Sequence, residues 1–243
     1  MFKRQEIQHF YQPVVNSLGK AVGFEALLRH NFYSTAEIFE AAKENGSIYL
    51  LDTLSIEVAL ETFQCDVHGT LLLNIFPTTL ISDEFPEFLK SLMKKYHFHP
   101  QNIVFEINES ETVSELRLLQ KRVQWLRKLG FLIALDDVGT GSSSIRRIIE
   151  IQPDIIKMDR YFSFNLSEQL LKQDVLTLFI NLAKNQKMAL VLEGLERETD
   201  YQLSEQLGVP FMQGYYLGHP VPYSQLKKFS AEKTDFEVKS VSS

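Results

Sequence analysis

Short apolar runs of strand length recur along this chain, separated by longer stretches in which apolar residues fall at helical spacing. Ile7–Val15 and Ala21–Leu28 are extended runs joined by a turn at Asn16-Ser17-Leu18-Gly19, which predicts a hairpin at the start. Ser34-Thr35-Ala36-Glu37 predicts a helix cap, followed by a helix to about Asn45-Gly46 and an amphipathic helix over about Ile48–Phe63. Thr70–Ile75 (TLLLNI) reads as a buried strand, helix restarts at Pro77 and continues to about Tyr96, and Ile103–Ile107 reads as strand again. A helical stretch over Leu116–Leu129 stops at Gly130. The next apolar run, Phe131–Leu135, delivers Asp136 and Asp137 into a loop loosened by Gly139 and Gly141. Helix over Ile145–Ile151, strand over Pro153–Met158, helix over Ser167–Asn185, strand over Met188–Leu192, helix over Thr199–Leu207 and a short strand over Pro210–Met212 complete the alternation. The segment after Pro222 starts helical, and residues 232–243 form a polar tail expected to be partly disordered.

Regular alternation of strand and helix implies a mainly parallel sheet covered by helices, in one domain spanning residues 1–231. Periodicity alone does not separate an open, doubly wound sheet from a closed barrel. No GxGxxG or Walker-type loop follows any strand, which weakens the nucleotide-binding open-sheet alternative. A length of 243 residues suits one α/β barrel, and neither an internal repeat nor a linker points to a second domain.

Composition narrows the function classes. With 44% hydrophobic and 23% charged residues the chain falls among ordinary globular proteins. No apolar signal core and no membrane-spanning run is present, so no membrane insertion and a cytoplasmic location are expected. Cys65, the single cysteine, has no disulfide partner and no thiolate cluster to join. A net charge of -6 argues against general binding of long nucleic acids, but leaves room for a small phosphorylated ligand.

The chemistry sits where apolar runs end. Asn74, Glu106, Asp136 with Asp137, Lys157, Glu193 and Gln213 each follow an apolar strand, and Glu25 lies within the second extended run. In a parallel barrel the C-terminal strand ends converge on one mouth, where active sites are kept. One such residue is an ordinary cap or turn residue. The same insertion after strand upon strand is not what capping produces. Five carboxylates facing one lysine require cations, and oxygen ligands without a histidine or thiolate cluster favour Mg²⁺ or Mn²⁺ over zinc. Asp136 and Asp137 together suit two ions, a pairing used for in-line displacement at phosphorus.

GFEALLR, LLLNIFP, FEINE, LDDVGTG, IIKMD, EGLE and MQGYYLGHP occur in this order over about Ile7–Leu226. In order and spacing they resemble the EAL-domain family of bacterial cyclic di-GMP phosphodiesterases. The resemblance implies a TIM-like (β/α)8 barrel with an antiparallel first strand and two Mg²⁺ or Mn²⁺ ions at its mouth. It implies Glu25, Asn74, Glu106 and Asp136 as ligands of one ion, with Asp136, Asp137 and Glu193 on the other. Lys157 would position the attacking water, with Gln213 completing that surrounding, while Gln12 and Arg29 match substrate-contacting positions. Glu109, Asp159 and Glu196 match residues that brace the site, although a plain surface salt bridge serves as well for each. The implied reaction is hydrolysis of cyclic di-GMP to linear pGpG by a homodimer.

The chain departs from the family pattern at Val138 (usually Phe), Ser142 (usually Tyr), Phe76 (usually Ser) and Asn108 (usually Thr). None is a ligand position, but Val138 and Ser142 fall in the loop the family uses for association and metal placement. Two alternatives to the phosphodiesterase reading are a non-hydrolysing receptor or interaction module on the same fold, and a barrel acting on a different phosphate ester. Trp125, Tyr161, Phe162 and Phe164 are candidates for either core or a subunit interface.

Overall fold

β1 (Ile7–Asn16) and β2 (Ala21–His30) form the expected hairpin, with Gln12 opposite Glu25 in antiparallel register. The Asn16 carboxamide oxygen accepts from the Leu18 and Lys20 amides at 3.0 and 3.1 Å, and Gly19 takes the positive φ that the turn needs. The computed structural model describes residues 2–63, 69–108, 115–139 and 144–229. Cys65, His68, Glu109, Gly141, Ser142 and the tail at 232–243 therefore lie outside the described residues.

From β2 the sheet continues in parallel through β3 (Thr70–Ile75), β4 (Ile103–Asn108), β5 (Leu132–Val138), β6 (Ile155–Met158), β7 (Ala189–Leu192) and β8 (Phe211–Met212). β1 closes it by pairing antiparallel with β8 through Val15 and Asn16 while its other edge holds β2. The result is a TIM-like barrel with one antiparallel strand, which settles the choice that periodicity left open. A short β9 (Val221–Pro222) adds to β1 at Phe10 and Tyr11.

Around the barrel lie α1 (Thr35–Glu44), α2 (Ile48–Thr62), α3 (Pro77–Ile81), α4 (Phe85–Lys95), α5 (Leu116–Lys128), α6 (Ser144–Ile151), α7 (Arg160–Ser163), α8 (Leu170–Gln186) and α9 (Glu198–Gln206). α1 begins in a full capping box, Ser34 accepting from the Glu37 amide while Glu37 accepts from the Ser34 amide. Strand residues Leu71, Leu73, Phe105 and Ile133 pack outward against helix residues Ile56, Leu89, Val123 and Leu126. Leu135, Ile156, Leu190 and Leu192 do the same against Leu176 and Ala183. Inside, Val14, Leu72, Val104, Ala134, Ile155 and Val191 fill the barrel as a second, narrower core.

The end of β5, beside the site, differs from the pattern-based reading. β5 does not end at Leu135: pairing continues past it, Asp136 standing opposite Asn108. Asp137 then takes φ +55° at an irregularity between Leu135 and Val138, so the two carboxylates sit on a kinked strand rather than in a free loop. After Pro222 the chain is helical as expected, in the form of a 3₁₀ helix over Tyr223–Lys228. Trp125 is half-buried against the core and Phe162 is buried, while Tyr161 and Phe164 are exposed.

Candidate active site

Strand side chains alternate with period two, so the residue two places beyond an inward apolar one also faces inward. Leu72 leads to Asn74, Val104 to Glu106, Ala134 to Asp136, Ile155 to Lys157 and Val191 to Glu193. On the reversed β1 the same step runs backward, from Val14 to Gln12. The polar layer is the apolar layer displaced by one pleat toward the mouth.

At its centre the Lys157 ammonium lies 2.7 Å from Glu193 Oε1, 2.9 Å from Glu106 Oε1, 3.0 Å from Asp136 Oδ1 and 3.3 Å from Glu25 Oε2. Burial pulls this lysine down, but the carboxylates of Asp136, Glu106, Glu193 and Glu25 outweigh it and hold the ammonium well above its ordinary range. It stays charged. One ammonium does not balance four carboxylates. Burial drives Glu106 well above the usual carboxylate range; Lys157 opposes this, and the Glu25 and Asp136 charges reinforce it. Glu193 rises for the same reasons, burial first and then Asp136 and Glu25 against Lys157. Glu25 goes the other way, because Lys157 and two amide donors overcome its burial. Those donors are Gln213 Nε2 at 2.8 Å and Asn74 Nδ2 at 3.0 Å.

Asp137 stands to one side, its carboxyl pushed up to about 6 by burial, then by Asp136 and Asp159. Asn108 Nδ2 donates to its Oδ2 at 3.1 Å and partly offsets the shift.

A divalent ion fits this donor set. Glu106 Oε2 is buried and finds no hydrogen-bond partner among the described residues, while Glu106 Oε1 and Asp136 Oδ1 are buried and met by the Lys157 ammonium. Oxygens of Asp136, Asp137 and Glu193 lie within 4.8 Å of one another, the spread of a shared coordination sphere. Carboxylate and amide oxygens are the ligands of hard cations.

Two cavities flank the centre and share Glu25. The first, about 300 Å³, runs past Asp136, Asp137, Glu193 and Gln213 to Gln12, Asp159, Arg160, Glu196 and Tyr215. The second, about 340 Å³, is reached past Asn74 and is walled by Arg29, Phe39, Lys43 and Phe76. The expected substrate contacts are thus divided. Gln12 is in the first cavity, its Oε1 accepting from Gln213 Nε2 at 3.3 Å and its Nε2 donating to the Gly218 carbonyl at 3.1 Å. Arg29 is in the second, its guanidinium 5.5 Å above the Phe10 ring and donating to the Leu28 carbonyl at 2.8 Å.

Of the residues expected to brace the site, Asp159 caps α7 by accepting from the Tyr161 amide at 2.7 Å, and it borders the first cavity. Glu196 pairs with Arg160 at 3.0 Å. Glu109 lies outside the described residues. Among the departures, Val138 is fully buried beside Met158, so its substitution acts through packing under the carboxylates and not at an exposed contact. Phe76 packs on Phe39 at 5.2 Å with the Lys43 ammonium 5.6 Å from its ring, and so walls the second cavity. The sequence reading missed Lys43, Phe39, Arg160 and Tyr215 as lining residues. They lie on helices and loops, where no period marks the side that faces the mouth.

Comparison with known proteins agrees with this geometry. The EAL domain profile matches residues 1–220. Among curated relatives, the probable cyclic di-GMP phosphodiesterase PdeA of Escherichia coli (strain K12) is 34% identical over 164 residues, 67% of this chain and 22% of that protein. The cyclic di-GMP phosphodiesterase PdeF of the same organism is 30% identical over 230 residues, 89% of this chain and 30% of that one. This chain therefore spans less than a third of either relative's length. Of solved structures, the EAL enzyme Bd1971 in its cAMP- and cyclic-di-GMP-bound form superposes with a TM-score of 0.83 at 25% identity, covering 92% of this chain and 64% of that one. With a family match over nearly its whole length and the carboxylate-and-lysine mouth in place, the chain belongs to the EAL domain family.

Proposed function

We propose that this domain hydrolyses cyclic di-GMP to linear pGpG with two divalent ions, Mg²⁺ or Mn²⁺, held at the barrel mouth. The observation that carries the reading is the buried Lys157 ringed by the four carboxylates of Glu25, Glu106, Asp136 and Glu193, more negative charge than one ammonium balances. Glu25, Asn74, Glu106 and Asp136 would hold one ion, and Asp136, Asp137 and Glu193 the other. When bound, the ions supply Lewis acidity toward phosphate oxygens and lower the pKa of water.

The chain's own residues do the arranging. Asn74 and Gln213 fix Glu25 from two sides, and Asn108 fixes Asp137. Lys157 draws the carboxylates inward, and its ammonium is placed to orient a water by donation. Arg29 offers a fork of donors matched to a phosphate at the entrance to the second cavity. Water adds to phosphorus as one P–O3′ bond breaks, leaving a 5′-phosphate on one nucleoside and a 3′-hydroxyl on the other.

Purified protein incubated with cyclic di-GMP and Mg²⁺ or Mn²⁺ is expected to release pGpG, and Asp136→Asn to abolish release while keeping the fold. Unchanged substrate recovered from a tight wild-type complex would instead favour a receptor on the same fold. Turnover of other phosphate esters without cyclic di-GMP turnover would point to a different substrate. Exposed Ile145, Ile149, Leu170, Leu171 and Leu178 support association as a homodimer, testable by analytical ultracentrifugation. Among the described residues no helix is long and apolar enough to cross a membrane, and a cytoplasmic setting suits a nucleotide substrate.

A further inference from the structure

We infer that Arg160 binds the phosphate of the dinucleotide on the Glu193 side of the mouth, gripping the linear product more firmly than the cyclic substrate. The inference rests on the hydrolytic reading above. Among the described residues lining the first cavity, the charged side chains other than Lys157 and Arg160 are all carboxylates. Lys157 is 1% exposed and already engaged by four of them. Beside the ions that Asp136, Asp137 and Glu193 would hold, a phosphate entering this cavity therefore meets one reachable cationic side chain among the described residues, the Arg160 guanidinium, which is 57% exposed.

The position of that cation is built into the backbone. α7, which Arg160 opens, packs against the glycines that follow β5 and β7, the two strands that deliver Asp136, Asp137 and Glu193. Both strands are followed by glycine at positive φ, Gly139 at +105° and Gly194 at +68°. A Cβ at Gly139 would stand 2.2 Å from the Phe162 ring, and one at Gly194 would stand 2.4 Å from Arg160 Cγ. The missing side chains are the space that α7 occupies. The arginine stem is thus seated against the backbone next to Glu193, and its head is aimed along the cavity wall.

The head is held loosely. Nη2 lies 3.0 Å from Glu196 Oε1, and Phe164 offers a ring 5.8 Å from Cζ. Ion pairs between groups this exposed are worth little, whereas a bidentate guanidinium–phosphate contact is among the stronger polar interactions. Glu196 keeps Arg160 in place until phosphate displaces it. Hydrolysis turns a singly charged diester into a monoester with a second negative charge, so a cation here gains most on the product.

Titration of linear pGpG into wild type and Arg160→Gln in the presence of Mg²⁺, alongside steady-state kinetics on cyclic di-GMP, tests this. Glutamine keeps the Cβ and Cγ that pack on Gly194 and removes only the fork and its charge. Loss of charge-assisted bonds predicts pGpG affinity weaker by about tenfold to a hundredfold. KM should rise by a smaller factor, and kcat should be unchanged or higher. Arg160→Lys, which keeps the charge without the fork, should fall between the two and carries the same test if the glutamine variant does not fold. Product affinity within twofold of wild type in a folded variant that still turns over would overturn this inference alone. Wild-type protein that neither binds nor hydrolyses cyclic di-GMP would overturn it together with the functional reading.

Discussion

Replacing Lys157 by Met keeps most of the side-chain volume and deletes the charge shared by four carboxylates at 2.7 to 3.3 Å. Glu106 is fully buried and Lys157 nearly so. Removing one partner of a buried ion pair costs on the order of 3–5 kcal/mol, because the remaining charge is left uncompensated. For a domain of this size about 1 kcal/mol moves the melting temperature by roughly 2–4 °C, so a fall of about 6–20 °C is expected in chelator. Two further outcomes separate this cause from simple core damage. Mn²⁺ or Mg²⁺ should restore more stability to the variant than to wild type, since cations then carry the neutralisation alone. Metal affinity should rise while turnover falls by at least about a hundredfold, because the group expected to orient water is gone. Thermal unfolding monitored with and without metal, together with the hydrolysis assay, reads all three. A variant that melted with wild type in chelator, or that kept full turnover, would refute the assignment of Lys157 as the organising charge.

Two other outcomes follow from the same physics. Asp137, raised to about 6 in the metal-free site, must lose its proton to act as a ligand, so metal affinity should weaken as pH falls through 6; calorimetric affinities equal at pH 5 and pH 8 would contradict this. His9 is buried against Ser55 and lowered to about 4 by burial and then by the Arg29 charge. The native state thus favours neutral imidazole, the unfolded chain takes up the proton below about 6.5, and stability is fully present above that pH and lost as pH falls toward 4. His9 should contribute about 3 kcal/mol of loss across that window, read by urea unfolding as the difference in pH dependence between wild type and His9→Gln; an unaltered slope in the variant would exclude His9 as a source.

Much of the site was legible because a strand's period is short. Once Leu72, Val104, Ala134, Ile155 and Val191 are recognised as inward positions, Asn74, Glu106, Asp136, Lys157 and Glu193 must share that face. What escaped the pattern was non-local. β5 was expected to end at Leu135, since an apolar run is what marks a buried strand, yet pairing with β4 carries it through both aspartates. Arg160 carried no signal either, because its aim depends on Gly139 and Gly194, residues remote from one another in sequence. The placement of Arg29 and Gln12 in separate cavities is likewise a property of the closed barrel rather than of either motif.

By itself the sequence determined the order and type of the elements, the polar residue that ends each strand, and a charge balance that demands cations. The tertiary structure decided the closure of the barrel through the reversed β1, the gathering of four carboxylates on one ammonium, and the seating of α7 over the mouth. The division has a physical origin. Periodicity and capping act within a few residues, whereas the field at Lys157 is the sum of charges brought from strands far apart in the chain, and only closure brings them within 4 Å.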